Sequence, residues 1–188
     1  MNYDRLVVGY HGCDVETAER LLGGGEFKPS QNDFDWLGRG VYFWEYGLDR
    51  ALQFAHDQKR RGKVKTPAVV GALLQLGTCF DLMDTRFTGR LLAAHDAWSA
   101  SVARLGAAIP KNAGPTDDLL LRRLDCAVLN FYLDAVAAEG ERFDSVRCGF
   151  VEGGAAFPGS KIMTRSHVQI AVRSPGCVVG VFRPRMDS

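Results

Sequence analysis

No Cys-x-x-Cys pair occurs in this sequence, although it contains five cysteines (Cys13, Cys79, Cys126, Cys148 and Cys177). An odd number at wide spacing fits neither a disulfide framework nor a zinc knuckle, so no metal and a reduced, cytoplasmic compartment are expected. Charge of one sign is lacking too. The formal net charge of +1 supplies no global pull towards nucleic acid or an anionic membrane. The start, Met1-Asn2-Tyr3-Asp4-Arg5, has no apolar signal region. The longest mainly apolar stretch, Ala68 to Leu76, falls far short of the roughly 20 residues that span a bilayer, and no membrane partner is expected. No Gly-x-Gly-x-x-Gly follows the first strand, and no Gly-x-x-x-x-Gly-Lys-Ser/Thr is present. Both absences argue against a dinucleotide fold of the usual kind and against a P-loop. Repeats, low-complexity tracts and domain-separating linkers are also missing.

What is there reads as one globular domain over residues 1–188. Apolar residues at 46% and charged residues at 24% exclude disorder as the main state, and the length suits a single buried core. Leu6 to Tyr10 is a short apolar strand ending at His11-Gly12-Cys13. Asp14 can cap a helix carrying Val15, Ala18, Leu21 and Leu22 on one face, and Gly23-Gly24-Gly25 stops it. Val41 to Trp44 is a second strand, entered through Gly38-Arg39-Gly40. Asp49 can cap a helix with Ala51, Leu52, Phe54 and Ala55, and its last turn, Lys59-Arg60-Arg61, suits the negative end of the helix dipole. Ala68 to Leu76 reads as a buried strand. Residues 85–106 and 117–139 have helical periodicity, with Thr116 or Asp117 as the expected cap of the second. Ser145 to Val151, His167 to Val172 and Val178 to Phe182 close the chain as strands. The order is mixed α and β without regular alternation, which predicts an α+β fold.

Three features stand where a core argument alone would not put them. His11-Gly12 ends the first strand: glycine allows close approach to the backbone, and histidine offers a donor or acceptor at neutral pH. An incidental turn is the plain alternative. Gly38-Arg39-Gly40-Val41-Tyr42-Phe43-Trp44-Glu45 puts Phe43 on one strand face and Tyr42 and Trp44 on the other, as core packing or as a stacking surface for a planar ring. In Ser166-His167-Val168-Gln169-Ile170-Ala171-Val172, the residues Val168, Ile170 and Val172 share one face. Gln169 therefore points the other way, into a cleft or into solvent.

Taken in order, these features resemble the ADP-ribosyltransferase superfamily, in its poly(ADP-ribose) polymerase and diphtheria-toxin-like branch. The match lies at Tyr10-His11-Gly12, at Gly-Arg-Gly-Val-Tyr-Phe over 38–43, and in the strand pattern over 166–172. Where that family has a glutamate, Gln169 stands here. The resemblance implies a split mixed or antiparallel sheet with an inserted helical pair at about 85–139. It implies NAD⁺ as co-substrate and transfer of ADP-ribose to a macromolecular acceptor, protein or nucleic acid, as in a bacterial toxin or phage-defence effector. Tyr10 belongs to the same NAD⁺-binding segment. On this reading His11 bonds the adenosine-side ribose and the Gly12 backbone holds the nicotinamide amide. Tyr42 stacks on the nicotinamide ring, with Phe54 as second aromatic and Ser30 at the amide. The family glutamate bonds the nicotinamide-ribose 2′-hydroxyl and can activate the acceptor. Gln169 can keep the bond but can neither carry charge nor act as base. Glu152 is the nearest acidic candidate by sequence, with Glu45 and Asp35 behind it.

Other readings stay open at this point. One is a catalytically silent NAD⁺ or ADP-ribose-binding module, for which Gln169 speaks. Another is an enzyme of the RNA 2′-phosphotransferase type, whose arginine set is not evident here. Lys59, Arg60, Arg61, Lys63 and Lys65 form the densest basic cluster, as phosphate contacts or as a solvated helix end. The loop 153–165 reads as an acceptor-choosing segment or a flexible connector. The helical pair, with Leu119, Leu120, Leu121, Leu124, Val128 and Leu129, reads as core or as a surface for a partner protein such as an antitoxin.

Overall fold

Asp14 ends the first strand and starts the first helix with a single side chain. One carboxylate oxygen accepts from the Glu16 N–H at 3.3 Å, and the other accepts from the N–H groups of Lys65 (2.6 Å) and Thr66 (3.2 Å). The bond from Lys65, then those from Thr66 and Glu16, hold this carboxyl below its ordinary pKa. The expected cap is thus present and also ties down the start of a later strand.

The computed structural model describes residues 5–185. Its elements are β1 (Leu6–Asp14), α1 (Val15–Leu22), β2 (Val41–Glu45), α2 (Leu48–Arg60), β3 (Pro67–Gln75), β4 (Cys79–Asp81), α3 (Thr85–Arg104), α4 (Arg123–Ala138), β5 (Ser145–Phe150), β6 (His167–Val172) and β7 (Val178–Phe182). The strands form one seven-stranded sheet in the order β4-β5-β6-β2-β1-β3-β7. Its pairings are antiparallel except β4 with β5, which is parallel, so the fold is α+β with a mixed sheet. Among the described residues no helix is long and apolar enough to cross a membrane.

Register decides which side chains meet. Tyr10 pairs with Trp44 and Trp44 with Gln169, while Tyr42 pairs with Ala171 and Ala171 with Val146. Paired residues share a face, so these side chains lie on one side of the sheet. There α2 covers Trp44 and Val69 with Leu48, Ala51, Leu52 and Phe54. The helices α3 and α4 cover Phe80, Val146 and Ala171 with Ala94, Val128, Leu129, Tyr132 and Leu133. The other face carries Val7, Phe43, Ile170 and Val172, and α1 packs there through Ala18 and Leu21 onto Cys13 and Val70.

Three local expectations change. Gly47, not Asp49, stands at the N-cap of α2, so Asp49 lies inside the first turn, where its charge still suits the dipole. Neither Thr116 nor Asp117 caps α4, which starts only after Arg122. Its free N–H groups are met from a distance: Asn112 Oδ1 accepts from Leu124 at 2.9 Å and from Asp125 at 3.3 Å. The three-residue β4 is an added strand, too short to leave a period in sequence. The core reading of the helical pair holds for Val128 and Leu129, with Leu124 half-buried against them, whereas Leu92 and Leu105 of the α3 region are 66% and 83% exposed.

Candidate active site

β1 and β2 stay together for only two pairs, Gly9 with Glu45 and Tyr10 with Trp44, although β1 continues along β3 as far as Asp14. Beyond Tyr10 the sheet therefore opens between β1 and β2. His11 spans the gap, its Nδ1 lying 2.9 Å from the Tyr42 carbonyl oxygen. A carbonyl only accepts, so Nδ1 carries the hydrogen and Nε2 is left with a lone pair. The ring packs against Phe27 and Phe43 with centroids at 5.4 and 5.7 Å. Burial lowers its pKa, and the Tyr42 bond only partly opposes this, so the imidazole is neutral at pH 7. His11 also lines a cavity of about 350 Å³ together with Thr17, Arg20, Lys28 and Lys63. Three cations outnumber the Asp14 carboxylate that also lines this cavity, and with one neutral acceptor this excess of positive charge favours an anionic ligand that carries hydroxyls.

Tyr42 uses its hydroxyl locally. It donates to the Gly38 carbonyl at 2.7 Å and accepts from the Leu37 N–H at 2.8 Å, closing the turn that contains Gly38 at φ 73°. Burial raises its pKa well above the ordinary tyrosine value. What Tyr42 can offer a ligand is its ring. Ser30 is joined to Gly40 by two backbone bonds, and its hydroxyl accepts from Asn32 Nδ2 at 2.8 Å. Asp35 accepts from the Asn32 N–H at 3.0 Å, and burial still raises its pKa. Phe54 tilts against Trp44 at 4.9 Å, and Tyr10 meets Phe182 edge-on at 6.3 Å.

Glu152 is only 2% exposed. Its two oxygens accept from Arg50 Nη2 at 2.9 and 2.7 Å. His167 Nδ1 lies 3.6 Å from Oε2, and Arg165 Nη1 lies 3.9 Å from Oε1. The His167 ring sits among Trp36 (6.0 Å), Trp44 (6.5 Å) and Phe150 (5.8 Å). Its Nδ1 donates to the Arg165 carbonyl at 2.7 Å, and its Nε2 faces the Gln169 amide nitrogen at 3.0 Å. Gln169 is 7% exposed and belongs to this buried cluster rather than to the solvent face. Arg122 stacks on Trp36 at 4.5 Å and on Phe150 at 5.6 Å. Trp44 Nε1, Arg50 Nε and Nη1 and Arg122 Nε are sealed from solvent without a hydrogen-bond partner. Such orphaned donors carry a desolvation cost, which an acceptor brought by a bound water or ligand would relieve.

The sheet therefore gathers Tyr10, Trp44, Phe54, Gln169, His167 and Glu152 on one face, while the His11 ring lies on the other. Glu45 is also on the far face, paired with Arg147 at 2.6 Å. Arg50 and Arg122 escaped sequence reasoning because their partners are far along the chain. His167 had a signal, its place two residues before Gln169 on the same face.

Two histidines held neutral make stability depend on pH. Both His11 and His167 have pKa values lowered from 6.5, each chiefly by burial. Below about pH 6.5 the unfolded chain binds more protons than the folded one, so stability falls as pH falls. Each group contributes at most about 1.4 kcal/mol per pH unit. Urea midpoints at roughly pH 7.5 and 5.5 should show the decline, and His11→Gln, which keeps a donor for Tyr42, should flatten it. A wild-type midpoint indifferent to pH would contradict the burial of both rings.

No family model matches the chain, and no solved structure matches it. A search of curated proteins found similarity to an uncharacterized protein of Methanocaldococcus jannaschii, 34% identical over 95 residues. That stretch is 49% of this chain and 43% of the archaeal protein, so the chain matches less than half of that relative's length.

Proposed function

We propose that this chain is an NAD⁺-dependent mono-ADP-ribosyltransferase acting on a macromolecular acceptor. One observation carries the reading. Three segments distant in sequence, around His11-Gly12, Tyr42 and Gln169, lie on β1, β2 and β6, which are consecutive in the sheet, and β1 and β2 part directly beyond the Tyr10–Trp44 pair. His11 bridges the edges of that opening and faces the cavity on one side, while Tyr42 and Gln169 lie on the other face of the sheet.

The roles follow from the atoms on offer. Arg20, Lys28 and Lys63 suit the diphosphate, and His11 Nε2 accepts from a ribose hydroxyl. The Tyr42 ring and Phe54 suit a planar leaving group. When nicotinamide departs, its ring takes the electron pair of the glycosidic bond and the sugar becomes oxocarbenium-like. Gln169 can accept from the 2′-hydroxyl without a charge, while the Glu152 carboxylate, fixed by Arg50, is the negative group of the cluster.

The test is release of free nicotinamide from NAD⁺ by the purified chain. Lys28→Glu together with Lys63→Glu should raise the NAD⁺ Kd at least tenfold, about 1.4 kcal/mol, with an unchanged melting temperature. Gln169 itself favours a second reading, a silent binding module, which would bind NAD⁺ and release nothing. Neither binding nor release would end both readings.

A further inference from the structure

Gln169 stands between two environments, and only one end of its amide is held. The Arg165 carbonyl is a pure acceptor, so the 2.7 Å contact requires hydrogen on His167 Nδ1. In the neutral ring Nε2 is then an acceptor. The atom of Gln169 that meets it at 3.0 Å must be the amide nitrogen, whose hydrogen it accepts. Gln169 Oε1 has no hydrogen-bond partner among the described residues and is not among the polar atoms sealed from solvent.

The charged groups around this ring come from four segments. Glu152 follows β5, Arg50 lies on α2, Arg165 precedes β6, and Arg122 precedes α4 behind Trp36 and Phe150. Burial among the aromatic rings is the largest influence and favours the neutral ring. The Arg165 carbonyl opposes it, Arg50 supports it and Glu152 opposes it. Glu152 is already engaged by Arg50, which blunts its pull on the imidazole.

We propose that His167 is a positioning residue that holds the Gln169 amide nitrogen and so presents its oxygen as a neutral acceptor for a sugar hydroxyl. The proposal rests on the transferase reading for the identity of that sugar, but the orientation itself does not. Protonation of His167 reverses the pattern: Nε2 becomes a donor, attracts the amide oxygen and turns the NH₂ outward. A ribose hydroxyl then meets a donor where it met an acceptor. A glutamate at 169 would need no such guidance, because both ends of a carboxylate accept.

Two measurements test this. In ligand-free protein, ¹⁵N-labelled histidine should show His167 at pH 7 as the tautomer with hydrogen on Nδ1. An Nε2–H tautomer or an imidazolium at that pH overturns the proposal, whatever the enzyme does. In a double-mutant cycle read by nicotinamide release, His167→Phe should lower kcat/KM at least tenfold in the wild type. In the Gln169→Glu background the same change should cost less than about threefold. Equal losses in both backgrounds mean that His167 acts through packing alone, and the proposal falls. If His167→Phe fails to fold, or if NAD⁺ is not turned over at all, the tautomer measurement still decides, and only the latter result counts against the transferase reading.

Discussion

Arg147→Met should unfold at a much lower urea concentration than the wild type, with a loss of about 3–5 kcal/mol. Arg147 sits on β5 and reaches across β6. Its Nε and Nη2 donate to the Glu45 carboxylate at 2.6 and 3.1 Å, and its Nη1 donates to the Asp81 oxygens at 3.3 and 3.1 Å. The three side chains are 11%, 10% and 9% exposed. Burial works against the guanidinium charge, but the two carboxylates outweigh it and hold the pKa above its ordinary value. Removing the cation leaves two carboxylates facing one another with little water to separate them. Replacing all three by apolar residues of similar size should recover most of the loss, because the penalty comes from the unpaired charges. A loss below about 1 kcal/mol in the single variant would mean that solvent screens the cluster as it screens a surface pair.

That cluster also shows where sequence reasoning stops. Short-range features were legible. Asp14 as cap, the Gly23–Gly25 stop and the alternation in β2 and β6 each follow from residues within a few positions of one another. The α+β class followed from the order of those elements. The features that failed involve partners brought together only by folding. Asn112 caps α4 from the preceding loop, Trp36 Nε1 donates to the Leu120 carbonyl at 2.9 Å, and Arg50 holds Glu152. No periodicity encodes such pairs. Gln169 is the instructive case at the candidate site. Alternation correctly put it opposite Ile170, but a glutamine on that face was open to solvent or to a cleft. Its burial depends on Trp44 from β2 and on His167, whose ring is enclosed by Trp36, Trp44 and Phe150.

Gly12→Ala should be the most damaging of the one-carbon changes near the site, at about 3 kcal/mol or more. A β-carbon built on Gly12 would lie 2.1 Å from the Ala51 carbonyl oxygen and 3.4 Å from the Ala55 nitrogen. Both are backbone atoms of α2, so no rotamer change relieves the contact and the helix itself must move. Glycine at this position reads in sequence as room for a ligand. In the fold that room on one side is taken by α2, whose Ala51 and Ala55 are fully buried. The close approach seats Leu52 and Phe54 against Trp44, so the glycine shapes the site by letting the helix dock. Thermal melts of Gly12→Ala should show a large drop, and NAD⁺ affinity, where folded protein remains, should fall with it. Ala51→Gly cannot rescue the variant, because the clash is with the carbonyl and not the methyl group. A Gly12→Ala protein with wild-type stability would mean that α2 does not rest on β1. The candidate site would then lose the wall that carries Phe54 and Arg50.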